Sequence, residues 1–346
     1  MKFSVVIPVY NGSRTLPACL EALSAQYYRD FEVYLVDNNS KDDSVDIILQ
    51  FLTAHPDFPG QLLHEPRQGA CPARNTGARA ATGQVIANID PDCLPDPDWL
   101  TDLAEAFADG EAAAVAGNIE SRAPENIYET FAALYTLPGR SQLEEYRAYM
   151  LTYGGYATAN LAITKTWFER LGGFDESINY KGVGIGEDHD ILARLYAAGG
   201  MLRAVPNAAV AHWHRSDLRG IVRQGFLFGL AQALLTRRHG RNGVLFNVGG
   251  REMVLPAPVK GWVEFDGLNK KVVSLLATGL LHPLLLATAP CYLLWQVLKV
   301  RRRLHSKGLQ TGVSGSFALV FLLLAKTTAM TYGRLRGSLS EKVICI

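Results

Sequence analysis

Val85-Ile86-Ala87-Asn88-Ile89-Asp90-Pro91-Asp92-Cys93 is the stretch on which the fold turns. The run Val85–Ile89 reads as a buried strand, and two carboxylates one residue apart stand where it ends. An extended backbone puts both on the same side, a short hard-oxygen clamp for a divalent cation. At the carboxyl edge of a parallel sheet, a cation so held is placed to grip a diphosphate. A polar strand end leading into the turn Pro95-Asp96-Pro97-Asp98 accounts for the same residues. The choice between the two rests on the neighbouring segments.

Upstream, strand and helix alternate. Phe3–Val9 is a β-rich apolar run, and Leu16, Cys19, Leu20 and Leu23 follow at helical spacing. Phe31–Val36 predicts a second strand, and Val45, Ile48, Leu49 and Leu52 the buried stripe of a second helix. Leu62–His64 suits a short third strand, and Ala73–Ala81 a helix stopped by Gly83. Downstream, Trp99–Phe107 and Ala113–Ile119 add a helix and a strand, Asp188–Ala198 resumes helical periodicity, Ala208–Ala211 predicts a short strand and Leu218–Leu235 a helix. This order argues an α/β fold, a doubly wound and mostly parallel sheet whose ligands sit outside the carboxyl ends of the strands. Pro124–Met150 is aromatic-rich without a clear period, open to either a helical excursion or a loop.

The 346 residues, 48% hydrophobic, suffice for one or two domains, and a net charge of +1 gives no electrostatic case for nucleic acid. Five scattered cysteines without a Cys-x-x-Cys pair suit a reduced compartment. The opening Lys2–Ile7, broken by Pro8, is too short for a signal peptide, so the catalytic part is expected on the cytoplasmic side. Character changes near the end, and the expected division is 1–245 as the catalytic domain and 246–346 as a hydrophobic helical extension. Val272–Leu298 contains no Asp, Glu, Lys or Arg, yet has Lys270 and Lys271 on one side and Lys299, Arg301, Arg302 and Arg303 on the other. Positive flanks stay cytoplasmic, and Pro283 and Pro290 interrupt the run. A re-entrant or interfacial helical hairpin on the cytoplasmic face satisfies both observations, against an ordinary buried helical subdomain. Phe317–Ala325 is too short to span alone and ends in Lys326.

Five further segments carry chemistry. Pro8-Val9-Tyr10-Asn11-Gly12 offers an aromatic for a nucleobase at the first strand's edge, without the Gly-x-Gly-x-x-Gly fingerprint. In Asp37-Asn38-Asn39-Ser40, Asp37 can accept from a base imide or ribose hydroxyl, while Ser40 before Asp42-Asp43 suits a helix N-cap. Arg74, near a helix start and close to the carboxylate pair, can neutralise a phosphate or lock an Asp. Glu187-Asp188, after Gly182–Gly186, is favoured by a helix dipole and is also a place for a carboxylate general base. His212 and His214 share a face if extended, and one can complete a site around the cation with Asp92.

In this order and spacing, Val5–Asn11, Asp37–Ser40, Ala73–Gly77, Ile89–Leu100, Gly172-Gly173-Phe174-Asp175-Glu176, Gly186–Leu195 and His212 resemble the family 2 glycosyltransferases over roughly Lys2–Gly240. The resemblance implies a GT-A type fold, a Rossmann-like nucleotide-binding half plus an acceptor half, and inverting transfer from a nucleotide-sugar donor, usually a UDP-sugar, with Mg or Mn. It implies nucleotide-sugar contacts from Pro8, Tyr10, Asn11, Asp37, Asn39, Arg67, Arg74, Asn75 and Asp90. The metal ligands would be Asp90, Asp92 and His212, with His214 the alternative. Asp188, paired with Glu187, would be the catalytic base, and Tyr153–Asn160 with Trp99 the acceptor side, Tyr156 and Asn160 in particular. With the tail, it suggests polysaccharide or glycolipid synthesis on a lipid-linked saccharide acceptor at the membrane surface. A metal-dependent hydrolase using the same acids and imidazoles, a nicotinamide oxidoreductase and a non-catalytic membrane-associated nucleotide-binding module are the rival readings. The missing glycine fingerprint argues against the oxidoreductase, and the Glu187-Asp188 pair against the binding module.

Overall fold

The computed structural model describes residues 1–136, 142–147, 156–181, 183–248 and 251–346. The chain folds as two compact units. One comprises Met1–Arg122 with Leu137–Trp213, the other Ala123–Thr136 with His214–Ile346. The expected boundary at 245/246 therefore differs from the observed one, which assigns a long helix and a short excursion to the second unit.

In chain order the first unit contains β1 (Phe3–Val9), α1 (Leu16–Ser24), β2 (Phe31–Asp37), α2 (Ser44–Ala54), β3 (Gly60–His64), α3 (Ala70–Ala80), β4 (Val85–Ile89), β5 (Cys93–Pro95), α4 (Trp99–Ala106) and β6 (Ala114–Ser121). The excursion α5 (Ile127–Tyr135) belongs to the second unit. The first unit continues with β7 (Glu144–Tyr146), β8 (Asn160–Thr164), α6 (Lys165–Arg170), the two-residue strands β9 (Asn179–Tyr180) and β10 (Val183–Gly184), α7 (Glu187–Ala197) and β11 (Leu202–His212). The main sheet runs β3-β2-β1-β4-β8-β6-β11-β5, with β7 also on β11. Strands β1–β4, β6 and β11 run one way, and β5, β7 and β8 run against them. The sheet is thus mixed and mostly parallel.

Helices cover both faces, which is why the central strands are apolar throughout. Phe3, Val5, Ile7 and Val9 pack with Leu16, Leu20, Leu23, Ile48, Trp99 and Leu103 on one side. Val6, Val36 and Ile86 pack with Ala73, Ala78, Ile191, Leu192 and Leu195 on the other. The stripe of α1 is buried as its spacing predicts. That of α2 is rotated: Ser44, Ile48 and Phe51 are buried and Leu49 is half exposed. The Ser44 hydroxyl accepts the buried N–H of Gly12, and this anchor sets the phase.

The second unit contains α8 (Leu218–His239), β12 (Gly243–Val248), β13 (Arg251–Leu255), β14 (Lys260–Glu264), α9 (Leu268–Ala277), α10 (Thr288–Ser306), α11 (Val313–Glu341) and β15 (Ile344–Cys345). Beside these helices it has a four-stranded sheet, β13-β12-β14-β15. The 3-10 turns Thr278–Leu280 and Pro283–Ala287 join α9 to α10 as a helical hairpin. Pro283 opens the second of these turns, and Pro290 stands in the first turn of α10, where its missing N–H costs no hydrogen bond. Lys326 does not end the second apolar run. It lies within α11, buried, with its ammonium on the Thr136 hydroxyl and over the Phe131 ring.

Candidate active site

The centre of the site is the end of β4. Arg74, on the first turns of α3 and almost wholly buried, donates to Asp90 at 2.8 Å and to Glu187 at 3.1 Å. Its guanidinium also lies 5.8 Å from the Phe174 ring centroid. One planar fork therefore ties the Asp90-x-Asp92 strand end to the start of α7, far apart in sequence. Gly186, with φ 80°, lets the chain turn sharply into that helix. Burial, and then the adjacent Asp188, raise the pKa of Glu187 above the ordinary carboxyl value, while Arg74 opposes the shift. Asp188 is half-buried, and one of its oxygens accepts the backbone N–H of His189.

Asp92 lies on the other branch. After it the chain reverses into β5, which pairs antiparallel with β11 so that Cys93 faces His212. The Trp213 N–H donates to the Asp92 carbonyl at 2.9 Å. This register brings the His212 Nε2 to 3.4 Å from an Asp92 carboxylate oxygen. One ligand atom from each of Asp92, Cys93 and His212 lies within 4.8 Å of the others. Burial pushes the Cys93 thiol well above its usual value, so it stays protonated and is a poor ligand for a hard cation. His214 falls in the second unit and is buried. Strand β11 ends at His212, so the alternation that would align the two imidazoles does not continue.

At the neighbouring strand ends, Pro8 is the penultimate residue of β1 and Tyr10 is half exposed just beyond the strand. Asn11, at φ 51°, accepts the Lys41 N–H, and its own N–H goes to the Ser40 hydroxyl. Ser40 is therefore not the expected cap of α2; Asp43 stands at that position and Asp42 receives the Ser44 N–H and hydroxyl. Asp37 is buried, accepting from the Ser40 N–H and lying 3.2 Å from His64 Nδ1. Asn39 donates to the Pro66 carbonyl.

Four of the residues expected to meet ligand are buried within the fold. Trp99 and Asn160, assigned to the acceptor side, are enclosed in the core. The Trp99 indole N–H donates to the Asn160 side-chain oxygen, whose amide donates to the carbonyls of Asn118 and Ala208. These groups tie β8 to its neighbours. Asn75, assigned to the donor, exchanges bonds with the backbone of Phe174 and donates to Glu176, pinning the Gly172–Glu176 turn. Tyr156 is buried with its ring against Tyr146, and Tyr153–Gly155 lie outside the described residues. Arg67 is exposed and pairs with Glu65 and Glu176.

Residues 4–172 match the family described as Glycosyl transferase family 2, and residues 140–215 one described as the N-terminal domain of galactosyltransferase. Over these matched residues, 4–172, the chain belongs to glycosyltransferase family 2. The pre-mycofactocin glycosyltransferase of Mycobacterium tuberculosis is 34% identical over 258 residues, covering 72% of this chain and 51% of that one. Glycosyltransferase AglE of Haloferax volcanii is 37% identical over 123 residues, 35% of this chain and 40% of the relative. The chain thus spans about half the length, or less, of these curated relatives. Among solved structures, the mannosyltransferase PcManGT of Pyrobaculum calidifontis, in complex with GDP-Man and Mn2+, aligns with a TM-score of 0.57 at 20% identity over 96% of this chain and 87% of that one. The fold of this family 2 member is the GT-A type.

Two supports of the candidate site were not foreseen from sequence. Asn38 is buried, donates to the carbonyls of Glu65 and Arg67, and accepts the Gly69 N–H, fixing the loop that leads into α3. Glu65 accepts from Arg67 and Thr76, and these bonds hold its carboxyl down to about 2. The spacing Glu65-Pro66-Arg67 was the available signal for that pair.

Proposed function

We propose that the chain is an inverting glycosyltransferase that moves a sugar from a nucleoside diphosphate donor to an acceptor hydroxyl. The Arg74 bridge carries the reading, because it sets the Asp90-x-Asp92 strand end beside the helix start bearing Asp188. The acceptor oxygen attacks the anomeric carbon in line. Its proton passes to the Asp188 carboxylate, and the bond to the diphosphate breaks with its electron pair on the departing oxygen. A single displacement inverts the configuration and needs no covalent enzyme intermediate.

Asp92 and His212, with Asp90 nearby, are the donors that would hold a divalent cation, Mg or Mn. Their carboxylate and imidazole chemistry fits such an ion, and their ligand atoms converge. Bound there, the ion supplies neutralisation of charge on the leaving diphosphate. Tyr10, Asp37 and Asn39 at the strand ends are proposed to receive the nucleoside. The donor is a UDP-sugar in this reading. GDP-Man, the ligand named for the Pyrobaculum relative, is the first alternative to test. We place the enzyme at the cytoplasmic face of a membrane with a lipid-linked saccharide acceptor. Two helices of the second unit that pass a length and apolarity test for membrane spans support that placement.

The decisive experiment follows transfer and donor binding in Asp188→Asn. Transfer is expected to fall by about 10²–10⁴-fold, the usual contribution of a positioned base, with nucleotide affinity nearly intact. Unchanged turnover would remove Asp188 from the role. Release of free sugar without an acceptor would favour a hydrolase.

A further inference from the structure

We propose that the α9–α10 hairpin is a wedge that enters only one leaflet of a lipid bilayer, collared by cations that meet anionic headgroups. This deepens the membrane placement given above and rests on it. It makes no use of the catalytic residues.

The hairpin's turn presents a ridge of leucines to solvent: Leu280 is 90% exposed, Leu281 82% and Leu284 79%. Exposed leucines in such number at one turn are costly in water. Further out on the arms, Val273, Leu294 and Leu298 are also exposed. No Asp, Glu, Lys or Arg interrupts Val272–Leu298. Immediately beyond it stand Lys270 and Lys271 on α9, and Lys299, Arg301 and Arg302 on α10. The α10 arm thus emerges into exposed positive charge, as an anionic membrane surface requires, whereas on α9 Lys271 is paired with Asp266 and Lys270 donates to the Glu264 carbonyl. Lys299 lies over the Trp295 ring, an arrangement suited to the headgroup boundary.

Length decides the depth. The short α9 arm sets the depth: its apolar part, Val272–Ala277, rises only about 9 Å at 1.5 Å per residue, against ~30 Å of hydrocarbon in a bilayer, whereas the helical stretch Pro283–Ser306 that follows the turn is by itself long enough to cross. Because the chain reverses at Thr278–Ala287, the 27-residue stretch cannot be straightened into one crossing without unmaking both turns. Helix α11 is long enough to cross but is tied to water-facing partners. Arg334 bonds Gln232 and Glu264, and α8 along its flank exposes Arg219, Arg223 and Arg237.

The structure supplies its own probe. Cys291 on α10 is the exposed cysteine, whereas Cys19, Cys71, Cys93 and Cys345 are buried. The full chain is mixed with vesicles of phosphatidylcholine alone, or containing about a third phosphatidylglycerol. Binding is read by sedimentation and by labelling of Cys291 with a charged maleimide. Preferential binding to the anionic vesicles is expected, with labelling slowed about tenfold or more by burial in the acyl region. The variant L280E/L281E/L284E, altered only at exposed positions, is expected to remain in the supernatant with Cys291 reactive. It should transfer sugar to a soluble acceptor as before. Variant protein that sediments like the unaltered chain overturns the wedge. So does a chain that ignores both vesicles and instead protects Cys291 within a dimer seen by light scattering. If the unaltered chain binds vesicles but transfers no sugar, the catalytic reading fails and the wedge stands.

Discussion

Arg74 is the residue from which the site's energetics follow. A guanidinium 3% exposed, facing two carboxylates, is stable only as a set, because each partner offsets the desolvation of the others. Replacing it with Met leaves Asp90 and Glu187 facing each other uncompensated. Both are partly solvated, so the expected loss is about 3 kcal/mol, at the lower end of the range for broken buried pairs. Arg74→Lys keeps the charge but cannot span both carboxylates with a single ammonium. It should recover part of the stability in urea unfolding while transfer stays low, which distinguishes geometry from charge. Glu65 yields a pH prediction. Its bonds with Arg67, first among the causes, hold the folded carboxyl at about 2 against an ordinary 4.5. A depressed carboxyl stabilises the fold in full above about 4.5, and the contribution vanishes as pH falls toward 2. Glu65→Gln should therefore be less stable near neutrality, and its urea midpoint should change less than the unaltered protein's across that acid window. At this scale the sequence was legible where function is local. Asp90, Asp92 and Asp188 declare themselves by type and position. The Arg74 bridge links residues more than a hundred positions apart, and no spacing rule encodes it. Trp99 and Asn160 are buried, and in one dimension a polar tip in a core looks like a polar tip in a cleft.

Among the elements, periodicity located the strands and helices of the main sheet, since each is buried on a face the pattern reveals. It failed in two informative ways. The stripe of α2 is turned by the Ser44–Gly12 bond, a tertiary contact that outweighs the choice between Leu49 and Phe51. The small sheet of the second unit went unread because its strands are short, adjoin a more conspicuous apolar run and recruit β15 from the far end of the chain. The α8–α11 pair shows the same long-range logic. Gly229 on one helix opposes Gly333 on the other, while Gly225 faces Lys326 and Gly337 faces Ala233. A Cβ at Gly229 would lie 2.1 Å from the Met330 carbonyl, and one at Gly333 2.2 Å from the Phe226 carbonyl. Backbone meets backbone there, so no side chain can swing aside. Gly229→Leu should cost several kcal/mol, above the ~1–3 kcal/mol usual for overpacking, because the helices themselves must part. Circular dichroism melting would register it, and a melt like that of the unaltered protein would show that the helices are not held this closely.

For the whole molecule, the division into two units separates what can be tested by ligand from what can be tested by lipid. The first unit contains every residue proposed to touch the donor or the ion, so donor binding should stabilise it by mass action. At a free concentration of a hundred times Kd the gain is about 2.7 kcal/mol, or roughly 5–10 °C in melting temperature for a unit of this size. The shift should need a divalent cation. Chelation should reduce it to whatever the nucleoside contacts supply alone, and Mn or Mg should restore it. Asp92→Ala separates the contributions. It removes the carboxylate facing His212 but leaves Tyr10, Asp37 and Asn39 at the strand ends, so a metal-independent remnant of the shift should persist while the metal-dependent part is lost. His212→Ala should behave the same way, because the β5–β11 register makes one site of the two side chains. If instead both variants respond to Mn and donor as the unaltered chain does, the convergence of Asp92 and His212 is a strand-edge contact and the ion, where required, is held elsewhere.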